Sequence, residues 1–325
     1  MNRKKELPLS EPPFCTYNFQ GMPGAIICNN LTIWNWYLNK AISLKCTNRF
    51  LNGLTTPTLY IENTILRELP WLNKLYFPVK YLGSATNRII RNLIDDGYYV
   101  WFERVDDFYI KGKSYYRERH FPHDGLISGY DLDEKTFTIV AYDKNWIFRS
   151  FKTPIQCFSK ARNVQIKKGD YGILCGIKAK EEQISLDVNA IYSGLKKYLD
   201  SSVDGERIAG IVVHKYICIY LDKILDQSIP TNRIDRRVFR MIWEHKKVML
   251  KRIEAIESEL KLGESISSEY SSLVELANHM RMLYVMFQRK PRNSILINLK
   301  EKLKTLNDIE EHLLIVLLNK MEGKI

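Results

Sequence analysis

Residues 119–143 read RHFPHDGLISGYDLDEKTFTIVAYD, and this stretch decides the fold. It holds the only two histidines of the first 200 residues, His120 and His123. His123 opens an expected strand, and six positions later Gly129-Tyr130-Asp131 marks an expected turn. A second strand follows, in which Phe137, Ile139 and Ala141 alternate onto one face before the chain reaches Asp143. A hairpin that begins on a histidine and ends on a carboxylate can set the carboxylate beside the imidazole. That pairing is the base-and-orienter half of a nucleophilic triad, and the missing part is an upstream thiol.

Outward from the hairpin, the first half of the chain mixes helices and strands. Ile27, Leu31, Trp34, Leu38 and Ile42 recur at helical spacing. A second helix is expected over 85–96, ended by Gly97 as a C′ residue, with the strand Tyr98–Phe102 directly after it. Further strands are expected at 164–166 and 172–177. These elements imply an α+β domain with an antiparallel sheet over residues 1–184. From Asp187, read as an N-cap, the pattern turns helical to the end and implies a helical domain over 185–325. Its helices are expected near 188–199, 205–226, 233–261, 266–289 and 296–321, separated by Ser201-Ser202, Pro230, Gly263 and Pro291.

Composition narrows the function classes. A hydrophobic content of 45% with 12% aromatic residues over 325 residues argues for real cores and against disorder. No apolar run approaches the roughly 18–20 residues that span a bilayer, and the basic start MNRKKELPLSEPP lacks an apolar segment after it. A cytoplasmic protein without membrane contact is therefore expected. Cysteines 15, 28, 46, 157, 175 and 218 form no C-x-x-C pair and no zinc spacing with histidine, so free thiols and no metal are expected. The net charge of +12 suits an acidic partner, yet no nucleic-acid signature accompanies it. No P-loop or dinucleotide motif is present, and no cofactor is expected.

Within this frame His123 is the candidate general base; a strand-end histidine bonded to backbone groups is the plain alternative. Asp143 is the candidate that fixes the ring's tautomer. Asp124 is expected on the face opposite His123, while Asp131 and Asp133 read as turn residues. His120, across Pro122, reads as a surface residue or substrate contact. For the thiol, Cys28 lies close to the start of the first amphipathic helix, where the macrodipole lowers a thiol's pKa. A helix starting at Pro23 would instead make Cys28 a core residue, and Cys15 is the second choice. Gln20 and Asn18 are candidates for an amide N–H toward an oxyanion, with loop hydrogen bonding as the alternative. In the helical half, His245 falls on the apolar stripe with Ile242 and Met249 and reads as a core histidine. Lys246, Lys247, Lys251, Arg252, Arg236, Arg237 and Arg240 read as an exposed basic side, a solvated face or a dock for an acidic protein.

The span His123 to Asp143, with Gly129-Tyr130-Asp131 between, resembles the His–Asp hairpin of papain-like cysteine enzymes. It is most similar to bacteriocin-leader peptidases and butirosin-type acyltransferases. VDDFYI before it and WEHKK in the helical tail extend the likeness to papain-fold proteins encoded near bacterial nonribosomal peptide clusters. The resemblance implies a papain-like fold with a Cys-His-Asp triad. It also implies amide formation, an acyl group passing from a thioester on an acidic acyl or peptidyl carrier protein to a small amine. Those families carry Cys-Gly-Pro or a similar motif at the helix start, where this chain has Gly21-Met22-Pro23-Gly24. With this departure, either Cys28 serves from a slightly later helix start or the nucleophile is lost; the alternatives to the transferase are a cysteine peptidase of the same fold using the same residues on a leader peptide, and a binding protein without a nucleophile.

Overall fold

The structure is a computed structural model and describes residues 3–27, 30–52, 56–62, 64 and 68–325. The chain folds into two units, one made of residues 1–30 and 65–183, the other of 31–64 and 184–325. The boundary at 183/184 lies one residue from the expected division. Residues 31–64, however, belong with the helical unit rather than with the sheet.

Numbered along the chain, the first unit contains β1 (Lys4–Glu6), α1 (Asn18–Ala25), β4 (Leu72–Pro78), α3 (Thr86–Asp95), β5 (Tyr99–Asp106), β6 (Pro122–Asp131), β7 (Thr136–Tyr142), β8 (Phe148–Pro154), α4 (Ile155–Lys167) and β9 (Ile173–Ala179). Its strands form an antiparallel sheet in the order β4-β9-β5-β6-β7-β8, with β1 pairing the far half of β6. β7 is buried along nearly its whole length, Thr138 and Val140 included, because helices and loops cover both faces of the sheet. Phe102 of β5 and Phe137 of β7 meet Phe158 of α4 edge-on, at 5.2 and 5.5 Å between ring centroids. Gly125 of β6 is required there, since a Cβ would stand 2.5 Å from the Phe102 ring.

Three local expectations change. Gly129-Tyr130-Asp131 lies inside β6, and the turn falls after it, where the Asp131 carboxylate accepts from the Asp133 and Glu134 amides. Residues 164–166 belong to α4, whose buried Phe158, Ala161, Arg162 and Gln165 are spaced by three and four. The helical stripe from Ile27 to Ile42 is shorter than expected: α2 (Leu31–Lys40) holds Leu31, Trp34 and Leu38, while Ile27 and Ile42 lie outside it and α1 has already ended at Ala25.

The second unit contains α2 (Leu31–Lys40), β2 (Leu44–Thr47), β3 (Leu59–Ile61), α5 (Val188–Asp200), β10 (Ser202–Asp204), β11 (Arg207–Ala209), α6 (Val213–Leu225), α7 (Val238–Leu260), α8 (Ser265–Arg289) and α9 (Asn293–Glu322). The helix expected over 205–226 is therefore a hairpin followed by α6. Antiparallel strands β10-β11-β2-β3 form a small sheet beside the long helices. Asp187 caps α5 by accepting from the Ala190 amide, as its sequence position implies.

The core of this unit is polar as well as apolar. Lys246 and Arg252, expected on an exposed basic side, are fully buried. Lys246 Nζ donates to both Glu310 carboxylate oxygens at 2.7 and 2.6 Å and to the Tyr198 hydroxyl at 3.2 Å, while the Tyr270 hydroxyl also donates to Glu310. Arg252 donates to the carbonyls of Tyr37, Leu38 and Ala41, so a side chain of α7 satisfies the last turn of α2. His245 is buried, with Nε2 donating to the Ile42 carbonyl at 2.8 Å. Among the described residues no helix is long and apolar enough to cross a membrane.

Candidate functional site

β6 begins at Pro122, and His123 stands at its entry with 34% of its side chain exposed. Its Nδ1 lies 2.9 Å from Asp124 Oδ1 and 3.2 Å from the Asp124 carbonyl. Strand alternation alone would send Asp124 to the opposite face. The partner strand β5, however, carries an irregularity between Phe102 and Val105, and the pairing jumps from Phe102↔Gly125 to Val105↔His123. Asp124 falls opposite that bulge, where the extra residue sharpens the twist and lets neighbouring side chains converge. Arg104 within it takes a left-handed φ of 57°.

The first residue of α1 completes the contact. Asn18 is buried, and its Nδ2 lies 3.3 Å from Asp124 Oδ1 and 3.1 Å from His123 Nδ1. An ionised carboxylate is the stronger acceptor for the ring proton, so the His123 Nδ1–H donates to Asp124 and the Asn18 amide donates to the same oxygen. His123 Nε2 then carries the free lone pair, and it has no protein partner among the described residues. Asp107 and Lys113 form a buried pair nearby at 3.5 Å, whose charges both act on the ring.

Burial pulls the His123 pKa down, but the Asp124 hydrogen bond and the charges of Asp124 and Asp107 outweigh it, against Lys113. The net shift is upward from 6.5. Burial raises Asp124, and the bond from His123 with the nearby charges brings it below its ordinary value. Asp107 is pushed up by burial, only partly offset by Lys113 and His123. A histidine shifted upward beside a buried Asp107–Lys113 pair is the kind of perturbation that gathers at reactive sites.

The other expected site residues are distributed as follows. Asp143 follows the last residue of β7, but it does not meet His123. Its Oδ1 accepts from the Asn145 and Ile147 amides at 2.8 and 3.0 Å, and its other oxygen pairs with Arg149 at 2.5 Å. Burial raises this carboxyl, yet the amides of Ile147 and Asn145 and then Arg149 hold it below the usual range. A short acidic side chain bonding backbone two and four residues ahead organises its own turn, and that bonding occupies Asp143. Cys15 is half-buried against α1: a Cβ on Gly21 would lie 3.2 Å from its Cβ. Gly21 and Asn18 share one helix face, so Cys15 lies along the face that reaches His123. Gln20, two residues from Asn18, is buried on a different face. Cys28 lies outside the described residues.

Sequence reasoning missed a second pair. Asp106, fully buried at the end of β5, accepts from the Phe108 and Phe121 amides, from Gln165 Nε2 at 3.2 Å and from His120 Nδ1 at 2.7 Å. His120 stacks on Phe108, with ring centroids 4.5 Å apart. The signal available was an Asp-Asp step, Asp106-Asp107, directly after an apolar strand. Phe121 stacks on the His123 ring at 5.3 Å, and the Arg119 guanidinium lies 5.3 Å from the Phe121 centroid, so an aromatic wall with a cation flanks the imidazole. Among the described residues no group of three His, Cys, Asp or Glu side chains could hold a metal ion. No family model and no curated protein matches this chain.

Proposed function

We infer that the first unit is an amide-forming acyltransferase with His123 as its proton-transfer residue and Asp124, rather than Asp143, as the carboxylate that orients it. The observation that carries the reading is the 2.9 Å contact from Nδ1 to Asp124 at a half-open strand end. With Nδ1 so engaged, Nε2 is the ring nitrogen left to act as a base. The nucleophile is a thiol of the 15–28 segment, Cys15 or Cys28. His123 takes the thiol proton as sulfur attacks the thioester carbonyl, and returns it to the departing carrier thiolate. An amine then attacks the enzyme thioester; a carbon–nitrogen bond forms, the carbon–sulfur bond to the enzyme breaks, and the amine proton passes through His123 to the cysteine. The net change is a thioester and an amine becoming an amide and a free carrier thiol. The papain-like fold and the acidic carrier protein as donor belong to this proposal, supported by the hairpin's resemblance and by the +12 net charge.

The test offers an acyl thioester of a small thiol, with an amine or water as acceptor, to the parent and to His123→Gln, Cys15→Ser and Cys28→Ser. Mass spectrometry follows both the product and the acylated protein. One cysteine variant and His123→Gln must lose acylation; equal activity in all of them refutes the thiol mechanism. One observation favours a second reading. The α1 residue that touches His123 is Asn18, an amide and not a thiol, which suits a binding protein that retains the fold without the chemistry. That reading requires no acylated protein from the parent chain.

A further inference from the structure

Beside α4, away from His123, the first unit holds a cleft of about 1110 Å³ between the first turn of α3, the β6–β7 turn and the exposed side of α4. Lys135, Lys160 and Lys167 line it, all exposed, and none has an acidic partner among the described residues. The one acid on its wall, Glu134, is paired with Lys152. Lys160 and Lys167 stand two turns apart on one face of α4, and the Lys135 carbonyl accepts from the Ile155 amide at the start of that helix. The three cations therefore spread over about 18 Å, the rise of the twelve residues from Ile155 to Lys167. A single phosphate cannot reach all of them.

Between the lysines the lining is aliphatic, with half-buried Pro154, Ile155 and Val164, and amide-bearing, with Asn87 and Asn163. None of the described lining residues is aromatic, and the Tyr109 ring outside the lining carries Lys160 Nζ at 4.8 Å from its centroid, so the lining itself presents no ring for a nucleobase to stack on. We propose that this cleft docks an acidic, amphipathic peptide segment of a partner protein, its carboxylates on Lys135, Lys160 and Lys167 and its apolar side chains over Ile155 and Val164. The size suits a peptide, the positive charge without an acidic partner among the described residues selects an acidic one, and the aliphatic floor favours it over polyphosphate. The inference does not depend on the acyl-transfer reading.

The test uses the full chain and a fluorescent peptide of glutamate and leucine at helical spacing, read by anisotropy at low ionic strength. Lys160→Glu with Lys167→Glu is compared with Lys196→Glu with Lys197→Glu, an equal charge change on α5 in the other unit. The cleft variant is expected to weaken binding about tenfold more than the α5 variant. Lys160→Gln with Lys167→Gln should give an intermediate loss without a change in thermal unfolding. Equal weakening by the cleft and α5 variants overturns the proposal. So does absence of binding by the parent, or displacement of the peptide by tripolyphosphate or single-stranded polyuridylate at lower concentration than by unlabelled peptide.

Discussion

Replacing Glu310 by leucine isolates the buried ion pair of the helical unit. Glu310 and Lys246 both have side chains fully shielded from solvent, and the carboxylate receives the lysine and the hydroxyls of Tyr198 and Tyr270. Glu310→Leu strands a buried ammonium, which costs about 3–5 kcal/mol when one partner of such a pair is removed. The two tyrosyl hydroxyls lose their acceptor as well, at about 1–3 kcal/mol each. The sum has a ceiling, because burial already lowers the Lys246 pKa and the orphaned amine can shed its proton. A net loss of about 4 kcal/mol is a large share of a domain's usual 5–15 kcal/mol. Adding Lys246→Met removes the stranded charge and should return up to about half of that loss, leaving the hydroxyl term; adding Tyr198→Phe and Tyr270→Phe should return the rest. Urea unfolding followed by far-ultraviolet circular dichroism measures each step. A Glu310→Leu protein within about 1 kcal/mol of the parent, or a double variant no more stable than the single one, refutes the argument.

Acid should destabilise the same unit. His214, buried, has its pKa lowered to about 3, first by desolvation and then by Lys246, so the unfolded chain binds a proton there that the folded chain refuses. Stability is then full above 6.5 and falls as pH drops toward 3, at about 1.36 kcal/mol per pH unit; His214→Asn should flatten that slope in urea titrations at stepped pH. His123 has the opposite sign: its raised pKa means that its contribution to stability is present below 6.5 and is lost as pH climbs through the folded value. Its ring should titrate above 6.5 by nuclear magnetic resonance, and Asp124→Asn should lower that midpoint; an unchanged midpoint removes Asp124 as its partner. Gly125→Ala would press a methyl to 2.5 Å from the Phe102 ring and should destabilise the first unit by about 1–3 kcal/mol in thermal or urea unfolding.

The alternation of Phe137, Ile139 and Ala141 is visible in any reading of the sequence, and β7 forms there. So is the Gly97 stop after α3, where the glycine adopts φ 83°. Long-range partners are what a local pattern omits. Lys246 and Arg252 carry the signature of a solvated face, but their acceptors are Glu310 and the carbonyls at the end of α2, 64 and more than 200 residues away. The site failed in a different way. His123 is legible because a histidine opening a strand is unusual, whereas its partner depends on a bulge in β5, a strand about twenty residues earlier whose irregularity leaves no mark on the hairpin itself. Asp143 stands at a strand end, where turn chemistry outcompetes pairing across the hairpin.

The excursion of residues 31–64 into the helical unit sets an order of events during synthesis. β2 emerges early, yet the register that seats it, Cys46 against Ile208, needs a strand made some 160 residues later, and Arg252 closes α2 later still. Until then this segment is an open strand edge and an open helix end. A gene fragment encoding only 184–325 would lack α2, β2 and β3 and leave Arg252 buried without the carbonyls it serves. Dividing the protein for expression therefore requires a graft of 31–64 rather than a cut at 184.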